Sequence, residues 1–306
     1  MDKKWGVVIL LLLGGFYLYS RHRTPKEVWD TSASAPLLAA KVSPKNIAPT
    51  NSSPTAAAPV KELPKAEAHS VQKISKTESQ TSKEHALNYV LDEGVAVVQG
   101  DLVVGEIVDD DGSPSGLVKA PSIRLWPSRV IPFYIQPNLK EPERVMQALA
   151  LFTNTAIQFV PYSDQDNVLV FEDSTGICKS YVGMIGGKQP LWVSPGCEAT
   201  EIAHEIMHAL GFVHEQNRTD RDQYIEMFPD NIEDQYKDNF FRLPDDMMKV
   251  SGLAPFDFES LMMYPPTMFS KNGQATMRSK IQGQDIHPDS GPSPRDIERM
   301  NKVYGQ

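Results

Sequence analysis

The chain has 306 residues, 41% of them hydrophobic, enough to bury a sizeable core in one or two domains. Its formal net charge of -9 lacks the basic surplus that a nucleic-acid partner requires, so no nucleic acid is expected. Cys178 and Cys197 are its only cysteines, too few for a disulfide-rich scaffold but sufficient for one bridge in an oxidising compartment.

At the N-terminus, Asp2, Lys3 and Lys4 precede an apolar run from Trp5 to Tyr19, and Arg21, His22, Arg23 and Lys26 follow it. The run is short against the ~20 residues of a membrane span and suits a signal-peptide core. Its aromatic ends and basic flanks equally suit an interfacial anchor. Residues 1–25 are therefore expected to be a signal peptide or a signal-anchor. The chain is expected to be exported, either secreted or periplasmic, with residues 5–19 as the membrane anchor if they are retained. Residues 26–84 are rich in Ala, Pro, Ser, Thr and Lys and poor in large apolar side chains, so they read as a disordered tether. Order resumes near Tyr89. The run Val95 to Gly105 is β-prone and interrupted by a Gly100-Asp101 turn signal. Asp109 to Gly116, with Pro114, reads as an exposed loop open to nicking.

A denser pattern begins near Leu125. Val130–Ile135 alternates as a strand, and Glu141–Thr155 has helical spacing with Val145, Met146, Leu149 and Phe152 on one side. Gln158–Pro161, Val168–Phe171 and Ser180–Met184 read as short strands, Ala199–Leu210 as a helix stopped by Gly211, and Pro294–Val303 as a last helix. Between these two helices, Asp222 to Gln284 has few long periodic segments.

The chemistry concentrates in His204-Glu205-Ile206-Met207-His208. Two imidazoles at i and i+4 share one helix face and reach one ion, while Glu205 stands beside them, able to approach water without binding metal. Gly211 tolerates positive φ, so the helix ends there and the chain turns back to bring His214 in as a third ligand. Three neutral imidazoles leave a position open, as in catalytic zinc sites. A structural zinc protein would fill four protein positions, often with cysteine.

The stretch His204 to Glu215, followed by Arg218, Asp220, Arg221 and Asp222, resembles the signature of the astacin family of metzincin peptidases. Ser260-Leu261-Met262-Met263-Tyr264 is similar to that family's Met-turn, and the likeness extends over roughly Trp126 to Tyr304. It implies an α+β, zincin-like catalytic domain over residues 118–306. In that fold a twisted, mostly parallel sheet carries an antiparallel edge strand and an active-site helix, and an irregular C-terminal subdomain ends in a helix. It implies one Zn2+ per chain on His204, His208 and His214, with Glu205 as general base and Tyr264 as a switchable ligand that stabilises the oxyanion. Met262 would form an apolar floor, Glu215 would meet the mature amino terminus, and Cys178 and Cys197 would pair. Ser180–Met184 would be the edge that binds an extended protein or peptide substrate by strand addition. A monomer is expected, and Arg218 and Arg221 read as structural ion-pair partners.

Three features depart from the family pattern. Ala156 stands where a cysteine is usual, so a second disulfide is missing, at about 2–5 kcal/mol if nothing compensates. Met263 replaces the usual histidine of the Met-turn. The third lies in residues 85–117, which read as a pro-segment. There Val98-Gln99-Gly100-Asp101 resembles the family's aspartate switch with Val in a Phe position. Asp101 would hold the zinc in the latent precursor, the alternative being a plain Gly-Asp turn. The mature terminus would fall near Leu117, with Lys119 as a nearby basic cleavage candidate. The function implied is a zinc endopeptidase made as a latent precursor. A catalytically silent, zinc-bound peptide-binding module is the alternative.

Overall fold

The computed structural model describes residues 73–74, 86–107 and 115–306. All of them belong to one compact unit, Glu62–Gln306; a second unit, Met1–Lys61, lies outside the described residues, as do the expected signal or anchor segment and nearly all of the expected tether. Among the described residues no helix is long and apolar enough to cross a membrane.

The strands in chain order are β1 (Lys73–Ile74), β2 (Ala86–Asp92), β3 (Val95–Val98), β4 (Leu102–Ile107), β5 (Ser115–Lys119), β6 (Val130–Ile135), β7 (Gln158–Pro161), β8 (Val168–Asp173), β9 (Lys179–Tyr181) and β10 (Lys188–Val193). They form one sheet in the order β5-β2-β3-β4-β9-β10-β8-β6-β7, with β1 beside β4. From β10 through β8 and β6 to β7 every pairing is parallel, and β9 runs antiparallel to β10. This is the mostly parallel sheet with an antiparallel strand that the resemblance implied. Helix α1 (Glu143–Ala150) and the histidine-bearing helix α2 (Ala199–Ala209) pack on each other, and their core includes Leu169, Phe171, Leu191, Ile202, Ile206 and Met207.

One expectation needs correction. The strand expected over Ser180–Met184 is Lys179–Tyr181; Gly183 turns it off with φ of 75°. Nor is it an edge, because β4 pairs with it in parallel register, Leu102 against Ser180 and Val103 against Tyr181. Strands β2 to β5 thus lengthen the sheet beyond β9. Their apolar run explains why. Val95, Val97 and Val103 pack on one face with Tyr181, Ile185 and Trp192; Ala96, Val98, Leu102 and Val104 pack on the other with Val182, Val213, Leu243 and Met247. A strand covered on both faces has no polar positions to alternate, and each buried Val or Leu contributes about 1.5–3 kcal/mol.

The region expected to be an exposed loop is also different at its end. Ser115 and Gly116 begin β5, which pairs along β2 from Ala86 to Val90. Leu117, the expected mature terminus, therefore sits within a strand, half exposed; residues 108–114 lie outside the described residues.

Beyond α2 the chain is built of short 3-10 turns and a two-stranded ribbon, β11 (Ile225–Met227) with β12 (Met277–Ser279), around its own core of Phe240, Phe256, Phe258 and Met263. The closing helix α3 (Pro294–Tyr304) starts with a capping box: Ser293 Oγ accepts from Asp296 N–H at 3.0 Å, and the Asp296 carboxylate accepts from Ser293 N–H at 3.1 Å. At the missing second disulfide, Asn301 Oδ1 of this helix accepts a 2.7 Å hydrogen bond from Ala156 N–H, and Tyr304 OH donates to Leu210 O at 2.8 Å. Polar contacts tether the helix where a covalent bridge is absent.

Candidate metal centre and its latch

Helix α2 ends as the sequence suggests. Gly211 has φ of 97°, and a Cβ there would stand 2.6 Å from Leu125 Cδ2, so only glycine fits. Gly211 N–H bonds His208 O at 2.8 Å and Phe212 N–H bonds Met207 O at 3.0 Å, which turns the chain back and delivers His214 to the other histidines. The three Nε2 atoms and the Asp101 carboxylate lie within 4.8 Å of one another.

The ring nitrogens are oriented by carbonyls. His204 Nδ1 faces Leu261 O at 3.0 Å and His208 Nδ1 faces Phe212 O at 2.9 Å. A carbonyl only accepts, so each Nδ1 carries the proton and each neutral ring turns an Nε2 lone pair towards the common point. Asp101 lies 3.5 Å from His204, 3.4 Å from His208 and 3.3 Å from His214, measured to Nε2. Yet His208 Nε2 and Asp101 Oδ1 are buried and make no hydrogen bond. His204 and His214 also face each other through Nε2 at 3.1 Å, and a cation at the common point would satisfy these nitrogens and the carboxylate together. Three imidazoles and a carboxylate suit one zinc ion. Burial lowers the His208 pKa to about 4, so its ring is neutral and ready to ligate.

Glu205 is buried beside this cluster with Oε2 unpartnered. Burial, and then the Asp101 charge, push its carboxyl well above the usual range. Tyr264 packs its ring 4.7 Å from that of His214, and its hydroxyl donates to Gln99 O at 2.7 Å. The turn between β3 and β4 therefore engages both the histidines, through Asp101, and the tyrosine, through Gln99. Gln99 and Gly100 adopt positive φ, and a Cβ on Gly100 would press on Tyr264 OH and Asn239 Nδ2 at 3.3 Å. The Gly100-Asp101 turn is a tight hairpin between β3 and β4 that carries Asp101 to the histidines.

The Met-turn lies where it supports them. Met262 is fully buried in the same core as Ile206 and Met207, and its carbonyl accepts from Glu215 N–H at 2.9 Å. Asp296 holds the preceding residues, accepting from Ser260 Oγ at 2.8 Å and from Leu261 N–H at 3.0 Å. Helix α3 thereby positions the carbonyl that orients His204. Glu215, expected to meet the mature terminus, is held instead by partners from its own domain. Arg299 Nη2 donates to it at 2.9 Å, Arg218 Nη1 at 3.1 Å and Asp257 N–H at 2.8 Å. Burial still pushes the Glu215 pKa up to about 7, against the pull of Arg299 and Arg218. Arg218 also pairs with Asp220, and Arg221 with Asp222, the structural roles expected of them. Cys178 and Cys197 form a disulfide joining the start of β9 to the approach to α2.

Sequence reasoning missed Asp296, Arg299 and a buried ion-pair anchor on Lys179. In that anchor the β2–β3 turn places Asp92 and Glu93 on Lys179. The only sequence signal was the polar turn Asp92-Glu93-Gly94, which says nothing of its distant partner.

The family model described as Astacin, a peptidase family, matches residues 118–305. Among curated relatives, zinc metalloproteinase nas-14 of Caenorhabditis elegans is 36% identical over 188 residues, covering 59% of this chain and 37% of that protein. Meprin A subunit alpha of Mus musculus is 32% identical over 220 residues, covering 69% of this chain and 28% of its own length. The chain thus spans well under half the length of either. Of solved structures, high choriolytic enzyme 1, a hatching enzyme zinc-protease from Oryzias latipes, is 28% identical with a TM-score of 0.52, covering 60% of this chain and 94% of its own. With the family model matched over most of its length and the histidine cluster assembled at the end of α2, the chain belongs to the astacin family of peptidases.

Proposed function

We propose that the chain is a zinc-dependent endopeptidase made as a latent precursor, acting on protein or peptide substrates. The observation that carries this reading is the convergence of His204, His208 and His214 on the Asp101 carboxylate, with Glu205 buried alongside. His204, His208 and His214 would hold one zinc ion, which supplies Lewis acidity at that point, lowering the pKa of water and polarising a peptide carbonyl. Glu205 takes the proton from the attacking water and passes it to the leaving amine. Once Gln99 departs, the Tyr264 hydroxyl is free to donate to the developing oxyanion. An extended substrate replaces β4 on β9, using the backbone groups of Ser180 and Tyr181 that the pro-segment now occupies. In the uncleaved chain that edge, the tyrosine and the histidines are all taken, which is latency.

Export is the compartment that fits, since a Cys178–Cys197 disulfide persists under oxidising conditions. The test compares the full chain, after limited proteolysis of the 108–119 segment, with its Glu205→Ala counterpart. The parent is expected to bind one zinc and cleave peptides, and to lose activity to a chelator. Glu205→Ala should keep the zinc and lose about 10²–10⁴-fold in kcat. Turnover retained in Glu205→Ala would refute the assignment of the base.

A further inference from the structure

The pro-segment is anchored at a second place that the latency switch does not need. Lys179, the first residue of β9, is fully buried, and its ammonium pairs with both Asp92 and Glu93. Around Glu93 the catalytic domain supplies a complete set of donors: Lys179 Nζ at 2.8 Å, Ser174 Oγ at 2.7 Å, Thr175 Oγ1 at 2.7 Å and Thr175 N–H at 3.0 Å. Beside it the bare Cα of Gly176 makes room for Asp92, whose carboxylate oxygens would stand 2.7–2.8 Å from a Cβ there. All of these donors belong to residues 174–179, and both carboxylates belong to the pro-segment. When the pro-segment leaves, the pocket stays and its anions go.

A buried cation without a counter-ion is costly, so such a pocket is emptied only for another anion or for water. Its position says which anion. Lys179 directly precedes Ser180, whose N–H bonds Asp101 O at 3.1 Å, the very residue that stands against the histidines. The Lys179 ammonium lies 5.5 Å from the Trp192 ring, beside Tyr181, and the pro-segment valines 95, 97 and 103 that cover these rings depart with Asp92 and Glu93.

We propose that the pocket of Lys179, Ser174 and Thr175, filled by Asp92 and Glu93 in the uncleaved chain, is a substrate subsite that takes a carboxylate side chain of the cleaved peptide. This rests on the endopeptidase reading above, with the pro-segment occupying the cleft as a substrate would. It assigns the enzyme a preference for acidic segments, although the chain itself is acidic overall. A charge-assisted pocket with several donors discriminates against a neutral isostere, which leaves those donors unpaired, by about tenfold or more.

The experiment uses the full chain after limited proteolysis, with a set of fluorescein-labelled decapeptides carrying Glu or Gln at each position in turn. Binding is read by anisotropy in a Glu205→Ala background, and cleavage is read separately in the parent. At one position Glu is expected to bind about tenfold more tightly than Gln. Lys179→Met should bring that ratio close to one, Lys179→Arg should keep much of it, and Lys179→Glu should favour a Lys peptide at that position. Should Lys179→Met fold poorly, Ser174→Ala with Thr175→Val, which leaves the cation in place, should still lower the ratio. Equal binding of the Glu and Gln peptides throughout, or a ratio unchanged in Lys179→Met, would overturn the subsite. Absence of cleavage in the parent alongside a Lys179-dependent binding ratio would instead sink the endopeptidase reading and leave the subsite standing.

Discussion

Asp296 is far from the zinc ligands in sequence, yet its substitution should weaken metal binding. Its carboxylate is fully buried and takes four donors: Ser260 Oγ at 2.8 Å, Leu261 N–H at 3.0 Å, Ser293 N–H at 3.1 Å and Arg299 Nη1 at 3.3 Å. Asn has nearly the same shape but one acceptor oxygen. Oδ1 now serves Ser260 and Arg299 while Oδ2 serves the two backbone N–H groups, so an amide must point its NH2 at one of these pairs. At least one buried donor then faces another, and Arg299 loses an anion. Disrupting such a pair costs about 3–5 kcal/mol. At ~2–4 °C per kcal/mol for a domain of this size, Asp296→Asn should lower Tm by about 6–20 °C. The same change loosens Leu261, whose carbonyl orients His204 Nδ1, so zinc affinity should fall by about 10–100-fold. Thermal melts of the metal-free chain read the first effect, and competition with a zinc-binding dye reads the second. A large fall in Tm with unchanged zinc affinity would refute the relay from α3 to His204. A Tm within about 2 °C of the parent would refute the whole account of this carboxylate.

Asp101→Ala in the uncleaved chain removes the one anion that stands against three imidazoles. Removing one partner of a buried charged contact costs about 3–5 kcal/mol, so the docked state should loosen by about 100-fold or more and hydrolysis of a fluorogenic peptide should rise accordingly. A variant as silent as the parent would remove Asp101 from latency. For Glu93, burial would raise the carboxyl, but the Lys179 ammonium and the Ser174 and Thr175 donors lower it from 4.5 to about 2. A carboxyl depressed in the docked state stabilises docking fully above pH 4.5 and loses that contribution as pH falls towards 2. Trp192 fluorescence of the uncleaved chain should report loosening in this window, and Glu93→Gln should flatten the response there. An identical pH profile for the variant would show that the shift belongs to another group.

The strands and helices of the catalytic region were legible to within a few residues where burial is one-sided and the pattern is local. Val130–Ile135 and Gln158–Pro161 are as read, and α2 ends one residue earlier than expected. The errors have a common cause. The resemblance makes Ser180–Met184 an edge, and nothing in that strand's own sequence says that β4 lies beside it. The Gly, Ser and Pro content of Asp109–Gly116 predicts a loop, but Ser115 and Gly116 are held by pairing with β2, whose sequence is remote from theirs. Ala156 advertised a lost disulfide; that Asn301 would reach back to its backbone was invisible from either end.

The three-histidine cluster is legible in the sequence because every part of it is short-range. Two histidines one helical turn apart, a glycine permitting positive φ and a third histidine just beyond it form a cluster through backbone geometry that needs no distant partner. Tertiary structure decided what surrounds that cluster. It brought Asp101 to the histidines, Gln99 to Tyr264, Glu93 to Lys179 and Asp296 to the Met-turn. Each of these contacts joins residues far apart in the chain, and each is created by strand register or helix docking, which are properties of the packed sheet and core rather than of any local segment.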